Sequence, residues 1–300
     1  MATQGSGDLE RVHQVMPELP VSSIRTGEDG LVYNVLIVNE EWVFRFATTD
    51  DGRNALEREA QLLALVGRHV SLQVPQLVHQ SPTCLVYRFI PGVPLSRHDL
   101  LAQDAQTRAR LIEQLGTFLH ELHGIPIAPA VPGETSPDTA RHTRDELERL
   151  YEDLERELLP FMMAWARRWA REHFRSVFEG RVELMYTPSL IHGDLAPYHL
   201  CYNPGVHRLV GVIDFGDAGP GDPAVDLGSV INAYGESILW DMEPAYPGIT
   251  VLIDRARFLA GTLELRWALA AIRSRDPAWF LCHLGYARDA WPVGWRGRRR

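Results

Sequence analysis

Apolar and polar positions follow two different rhythms along this chain, and the change falls near residue 90. Leu31 to Val38 and Glu41 to Ala47 read as strands joined at Asn39-Glu40, with a turn at Gly27-Glu28-Asp29-Gly30 before them. Ahead of them Leu9, Val12 and Val15 share one side of a short helix that Asp8 can cap and Pro17 and Pro20 end, placed to pack behind the sheet. A helix from about Gly52 to Val66 carries Leu56, Leu63 and Val66 inward, with Glu59 one turn after Leu56. Val74-Pro75 then leads into a further strand, Cys84 to Phe89, which stops at Ile90-Pro91-Gly92. From Leu100 the period becomes helical, with Leu111, Leu115, Phe118, Leu119 and Leu122 on one stripe. Ile125 to Asp138, with its prolines and Gly133, reads as loop. Helical stretches follow over Thr143–Glu157, Phe161–Phe178, Asp222–Asn232, Val251–Arg273 and Trp279–Ala290, and no internal repeat interrupts them. This pattern predicts an α+β protein, an antiparallel sheet followed by a mainly helical body.

Composition narrows the class. Three hundred residues with 45% hydrophobic content can bury one large domain or two lobes. No run approaches eighteen apolar residues, and Met1 to Glu10 is polar and acidic where a signal peptide would be basic and then apolar, so a cytoplasmic protein with no membrane contact is expected. Cys84, Cys201 and Cys282 make an odd set without paired spacing, which implies neither a disulfide framework nor a zinc module. The net charge of −9 includes the tail residues Arg296, Arg298, Arg299 and Arg300, so the rest of the chain is more acidic still. Such a body repels nucleic acid and attracts cations, and the tail reads as a solvated end. Every one of the 30 basic residues is arginine.

The chemistry concentrates in residues 190–226. An apolar run ends in His192-Gly193-Asp194, a second polar side chain, His199, follows five residues later, and a strand over Leu209–Ile213 delivers Asp214 into the Gly-rich turn Phe215-Gly216-Asp217. Phosphoryl transfer needs a carboxylate at the acceptor hydroxyl and ligands for the magnesium that neutralises nucleotide phosphates. On that layout Asp194 is the candidate base, and His199 and Asp214 are the candidate Mg2+ ligands. His192, Asp194, His199 and Asp214 could also suit a zinc or di-metal hydrolase. No His-x-His pair or Cys-x-x-Cys accompanies them.

His192 to His199 and Ile213 to Ala218 resemble the H-G-D-x-x-x-x-N/H and I-D-F/W-G/S-D/E-A motifs of the aminoglycoside phosphotransferase family, and the fold resemblance runs from about Ser22 to Leu284. Tyr234-Gly235-Glu236 is similar to a string in its members that act on the double-primed ring of gentamicin- and kanamycin-type drugs, and macrolide kinases are close relatives. The resemblance implies a protein-kinase-like two-lobe fold. Residues 1–91 would form a nucleotide-binding N-lobe and residues 92–300 a C-lobe with a helical insertion over about 125–180. It also implies site roles for ATP or GTP. Gly27 and Gly30 would cover the phosphates, Arg45 paired with Glu59 would meet the α and β phosphates, and Tyr87 would be gatekeeper before a purine-reading hinge at Phe89 and Ile90. Most of the family has lysine where this chain has Arg45, which keeps the charge without being a neutral exchange.

The expected activity is transfer of the γ-phosphoryl to a hydroxyl of an aminoglycoside by a monomeric enzyme. A cationic acceptor calls for carboxylates beyond those phosphate transfer needs, and Glu236, Asp241, Glu243 and Glu264 are the candidates after the metal loop. Another small-molecule kinase of the same fold (macrolide, choline or sugar) and a nucleotide-binding pseudokinase are the competing readings.

Overall fold

The two strand-like runs on either side of Asn39-Glu40 become hydrogen-bonded strands. The computed structural model describes residues 4–27, 33–127 and 143–275. Its strands β1 (Ile24–Thr26), β2 (Tyr33–Val38), β3 (Trp42–Ala47), β4 (Leu77–Ser81) and β5 (Cys84–Arg88) form one antiparallel sheet in the order β1-β2-β3-β5-β4. Asn39 and Glu40, with φ of 56° and 52°, make the tight turn between β2 and β3. The Asn39 side chain also accepts from the backbone N–H groups of Ser22 and Ser23 and donates to the Pro20 carbonyl, which pins the chain entering β1.

Each face of this sheet has its own cover. Leu36, Val38, Trp42, Phe44, Phe46 and Val86 turn to one side, where Val12 of helix α1 (Gln4–Val15) is buried against them. The helix begins at Gln4, so Asp8 lies within it and does not cap it. On the other side Leu85 meets Leu56 and Ala60 of α2 (Asp50–Val66), while Ile37, Val43 and Tyr87 form an apolar shelf with Val35 and Phe89. Arg45 shares this second face because it lies two residues from Val43. Thr49 caps α2 by accepting from Gly52 N, directly ahead of Asp50 and Asp51 in the first turn.

Residues 89–92 link the sheet to the helical lobe without regular structure. The lobe holds α3 (Arg97–Ala102), α4 (Ala105–His123), α5 (Arg144–Asp153), α6 (Ala164–Phe178), α7 (Ala224–Tyr234), α8 (Ser237–Met242) and α9 (Ile253–Ser274). Short strands β6 (Val93–Pro94), β8 (Leu200–Asn203) and β9 (Arg208–Val212) make one small sheet, and β7 (Ser189–Ile191) pairs with β10 (Gly219–Gly221). The apolar stripe of α4 packs with Leu227, Val230 and Ile231 of α7 and Phe258 of α9 in one core. The helical pattern from Leu100 is broken at Gln103, because the Asp104 side chain accepts from Gln106 N and Thr107 N and starts α4 afresh. β9 also passes under the link: a Cβ on Gly211 would lie 2.7 Å from the Gln73 carbonyl and 2.8 Å from Ile90, so only glycine fits this crossing.

The acidic run continues one turn past the end of α5, and its last acids are paired. Asp153 and Glu157 bind Arg273 of α9, and Glu155 takes both oxygens to Arg171 of α6. The loop proposed up to Asp138 is described only to residue 127, and the helix expected at Trp279–Ala290 lies outside the described residues. Among the described residues no helix is long and apolar enough to cross a membrane.

Candidate active site

Two loops of the helical lobe and one strand of the sheet bring the chemistry together. β7 ends at Ile191, and the loop behind it is anchored from below. Asp226, fully buried on α7, accepts the backbone N–H of His192 at 2.8 Å and of Gly193 at 2.9 Å, and a third hydrogen bond joins it to His123 Nε2. Burial opposes its charge, but the His123 hydrogen bond and charge hold the Asp226 carboxyl below the usual range. Gly193 takes a φ of 85°, a turn that frees the next residue to face outward, and the Asp194 side chain is half exposed.

His192 is the reverse case, buried completely with its ring against Phe215. Its Nε2 lies 3.1 Å from the Ile213 carbonyl, whereas Nδ1 is buried without a hydrogen-bond partner. A proton on Nδ1 would have no acceptor, and burial lowers the pKa of this ring.

Pro197–His199 form one turn of 3-10 helix that carries His199 back under the loop. His199 Nδ1 sits 2.7 Å from the Asp194 carbonyl oxygen and so donates to it, leaving Nε2 facing Asp214 Oδ2 at 3.5 Å. Asp214 leaves β9 through a left-handed residue, φ 64°, which an aspartate tolerates better than most side chains and which turns its carboxylate into the cleft. Burial pushes this carboxyl up, yet Arg45 and then His199 hold it below its ordinary value.

Arg45 crosses from the sheet to join them. Its Nη1 donates to both oxygens of Glu59 on α2, at 2.6 and 2.9 Å, and its Nη2 donates to Asp214 Oδ1 at 3.0 Å. Arg45 and Glu59 are both buried, at 4% and 1% exposure, so neither charge could stand without the other. Burial pushes the Glu59 carboxyl up to about 7 against the pull of Arg45. Tyr87 reaches the same guanidinium from β5, and burial holds its phenol well above the ordinary range.

The structure therefore brings Asp194, His199, Asp214, Arg45 and Glu59 together, and Val43, Tyr87 and Phe89 cluster on the face of the sheet that carries Arg45. Gly27 enters the sheet next to Val35, and Gly30 lies outside the described residues. Ile90 is turned into the lobe beneath, against Gly211. Two of the expected acceptor carboxylates are placed elsewhere. Glu236 is 1% exposed and locked to Arg257, with Trp240 Nε1 donating to it as well, and Glu264 is buried on α9. An acid one residue after Gly235 is needed to pair Arg257, so it does not face a substrate. Of the other two, Asp241 on α8 is exposed and Glu243, at the end of that helix, is half-buried.

Asp226 and His123 were not singled out from sequence as site residues, although an aspartate among Val225, Leu227, Val230 and Ile231 on a helix is a buried carboxylate in need of donors. Among the described residues no cluster of three or more His, Cys, Asp or Glu could alone hold a metal. A carboxylate and an imidazole converging on one point suit a cation that takes its other ligands from phosphate and water, which is how magnesium binds.

A two-lobed cleft with a lobe-bridging cation, a carboxylate loop and an aspartate turn defines a kinase-type phosphotransferase. The chain belongs to the phosphotransferase enzyme family, whose model matches residues 20–283. Viomycin phosphotransferase of Streptomyces vinaceus is 28% identical over 263 residues, which cover 81% of this chain and 86% of that one. Wild-type aminoglycoside 2′-phosphotransferase-IIIa in its GDP complex superposes with a TM-score of 0.81 at 26% identity, over 93% of this chain and 95% of the other. Its GDP and kanamycin complex gives 0.80 at 26% identity, over 93% and 96%. A macrolide 2′-phosphotransferase from Brachybacterium faecium shares the fold at 21% identity and a TM-score of 0.67, over 97% and 98% of the two chains.

Proposed function

We propose that this enzyme transfers the γ-phosphoryl of ATP or GTP to a hydroxyl of an aminoglycoside, with residues 1–91 holding the nucleotide and residues 92–300 the acceptor. The observation that carries the reading is the meeting of Arg45 and Asp214, which joins a buried cation on the sheet to the aspartate turn beside Asp194. Asp194 accepts the hydrogen bond of the acceptor hydroxyl and orients its oxygen in line with the γ-phosphorus. As the new O–P bond forms, the bond to the bridging oxygen of the nucleoside diphosphate breaks, and the hydroxyl proton passes to Asp194. Arg45, held by Glu59, places its charge at the α and β phosphates. Asp214 and His199 would hold magnesium, which when bound neutralises the charge on the phosphate oxygens. The Val43, Tyr87 and Phe89 wall takes the purine.

An acidic protein with Asp241 exposed on α8 favours a polycationic acceptor, and kanamycin occupies a similar enzyme. The test is a phosphorylation screen with ATP and with GTP, using kanamycin, gentamicin, viomycin and erythromycin, with Asp194→Asn as control. Transfer to an aminoglycoside should appear, should fall about 10²-fold or more in the control, and should show an acceptor KM that rises between roughly 50 and 500 mM salt as the Debye length shrinks. Phosphorylation of erythromycin with none of any aminoglycoside would sink the reading of the acceptor.

A further inference from the structure

The face of the Arg45 guanidinium is covered by a ring. Tyr33 opens β2 opposite Ala47, and Arg45 on β3 is opposite Val35, so the two are diagonal neighbours on the same face of the sheet. The Arg45 guanidinium carbon lies 4.3 Å from the centre of the Tyr33 ring. Glu59 and Asp214 take the edge of the guanidinium, and Tyr33 takes its face. The ring is itself held, because it packs with Leu56 and Ala60 of α2 and Leu85 of β5. Its hydroxyl end reaches the aspartate turn, where a Cβ on Gly216 would lie 4.0 Å from it.

We propose that Tyr33 is a positioning residue for the nucleotide, one that holds the plane of Arg45 so that its charge stays aimed at the phosphates when Asp214 turns to a metal ion. This rests on the reading of Arg45 as the phosphate-binding cation. A guanidinium is planar and weakly hydrated and gains from a ring face; an ammonium on the shorter lysine chain would have neither the plane to stack nor the width to span Glu59 and Asp214. Tyr33 is thus the partner that the exchange of lysine for Arg45 calls for. The ring face does the work and the hydroxyl does not. Burial pushes the phenol up to about 12, so it stays neutral and adds no anion to the contact.

The experiment reads nucleotide KM and kcat separately across a series at position 33. Tyr33→Phe should match wild type. Tyr33→Met, which keeps apolar volume and removes the ring, should raise the nucleotide KM about tenfold, with kcat changed far less. A series of fluorinated phenylalanines at 33 keeps the shape of Tyr33→Phe while draining the ring face, and KM should climb with each fluorine; it answers even if Tyr33→Met does not fold. In the Arg45→Ala background the same changes should do nothing. A flat fluorine series, or effects that simply add to those of Arg45→Ala, would overturn the role of Tyr33. An Arg45→Ala enzyme with unchanged nucleotide KM would instead overturn the phosphate role of Arg45, so the two failures are told apart.

Discussion

His123 Nε2 lies 3.0 Å from Asp226 Oδ2, and both side chains are buried on facing helices, α4 and α7. The same carboxylate takes the backbone N–H groups of His192 and Gly193, so the pair fixes the height and tilt of the loop that presents Asp194. Asp226→Ala leaves three donors unmet in the interior and should cost about 3–5 kcal/mol, read as a shift in the urea midpoint. A loss below about 1 kcal/mol would mean that the loop is held by other contacts.

Asp214 is the carboxylate of the two candidate ligands, and the imidazole of His199 is the softer donor. Asp214→Ala should weaken magnesium-dependent nucleotide binding about 100-fold and His199→Ala about tenfold, measured by calorimetry with and without magnesium. Unchanged affinity in Asp214→Ala would remove the metal turn from the mechanism.

Glu236→Gln tests a carboxylate that the Tyr-Gly-Glu string pointed toward substrate and the fold points toward Arg257. The two are 2.5 Å apart at 1% side-chain exposure each, so the substitution should cost about 2 kcal/mol of stability and leave the acceptor KM alone. A raised KM at an unchanged urea midpoint would return Glu236 to the acceptor site.

Acid should weaken this protein in two stages. His192 has its pKa lowered in the fold, so its contribution is complete above about 6.5 and is lost as pH falls below that value, by up to ~1.4 kcal/mol per pH unit. Asp214 and Asp226 are also lowered, and theirs is complete above about 4 and lost as pH drops further. Glu59, raised to about 7, runs the other way, since its contribution fades as pH climbs from about 4.5 through 7. Comparing wild type with His192→Gln, which can still donate to the Ile213 carbonyl, cancels the other groups. The stability difference between them should fall between pH 7 and 5. A constant difference would show that His192 titrates alike folded and unfolded.

Much of this was legible in the chain because it depends on local spacing. Strand-like runs marked β2 and β3, the leucine stripe marked α4, and the five-residue step from Asp194 to His199 with a strand before Asp214 announced a phosphotransferase. Spacing carries such information because a strand or a loop fixes where its own side chains point. Pairing between distant segments has no such local trace. Whether Glu236 meets a ligand or Arg257, residues 21 apart, was decided by the packing of α7 against α9, since a buried arginine must take whichever carboxylate the core brings to it. The apolar neighbours of Asp226 mark it as buried, but only the placing of α7 against the loop gives it the N–H groups of His192 and Gly193. The face of Arg45 met Tyr33 because of the register of β2 on β3, in which a one-residue slip would have put the ring on the α1 side of the sheet. The sequence by itself determined which groups the reaction would use, and the tertiary structure decided which charges face the cleft and which are spent holding it together.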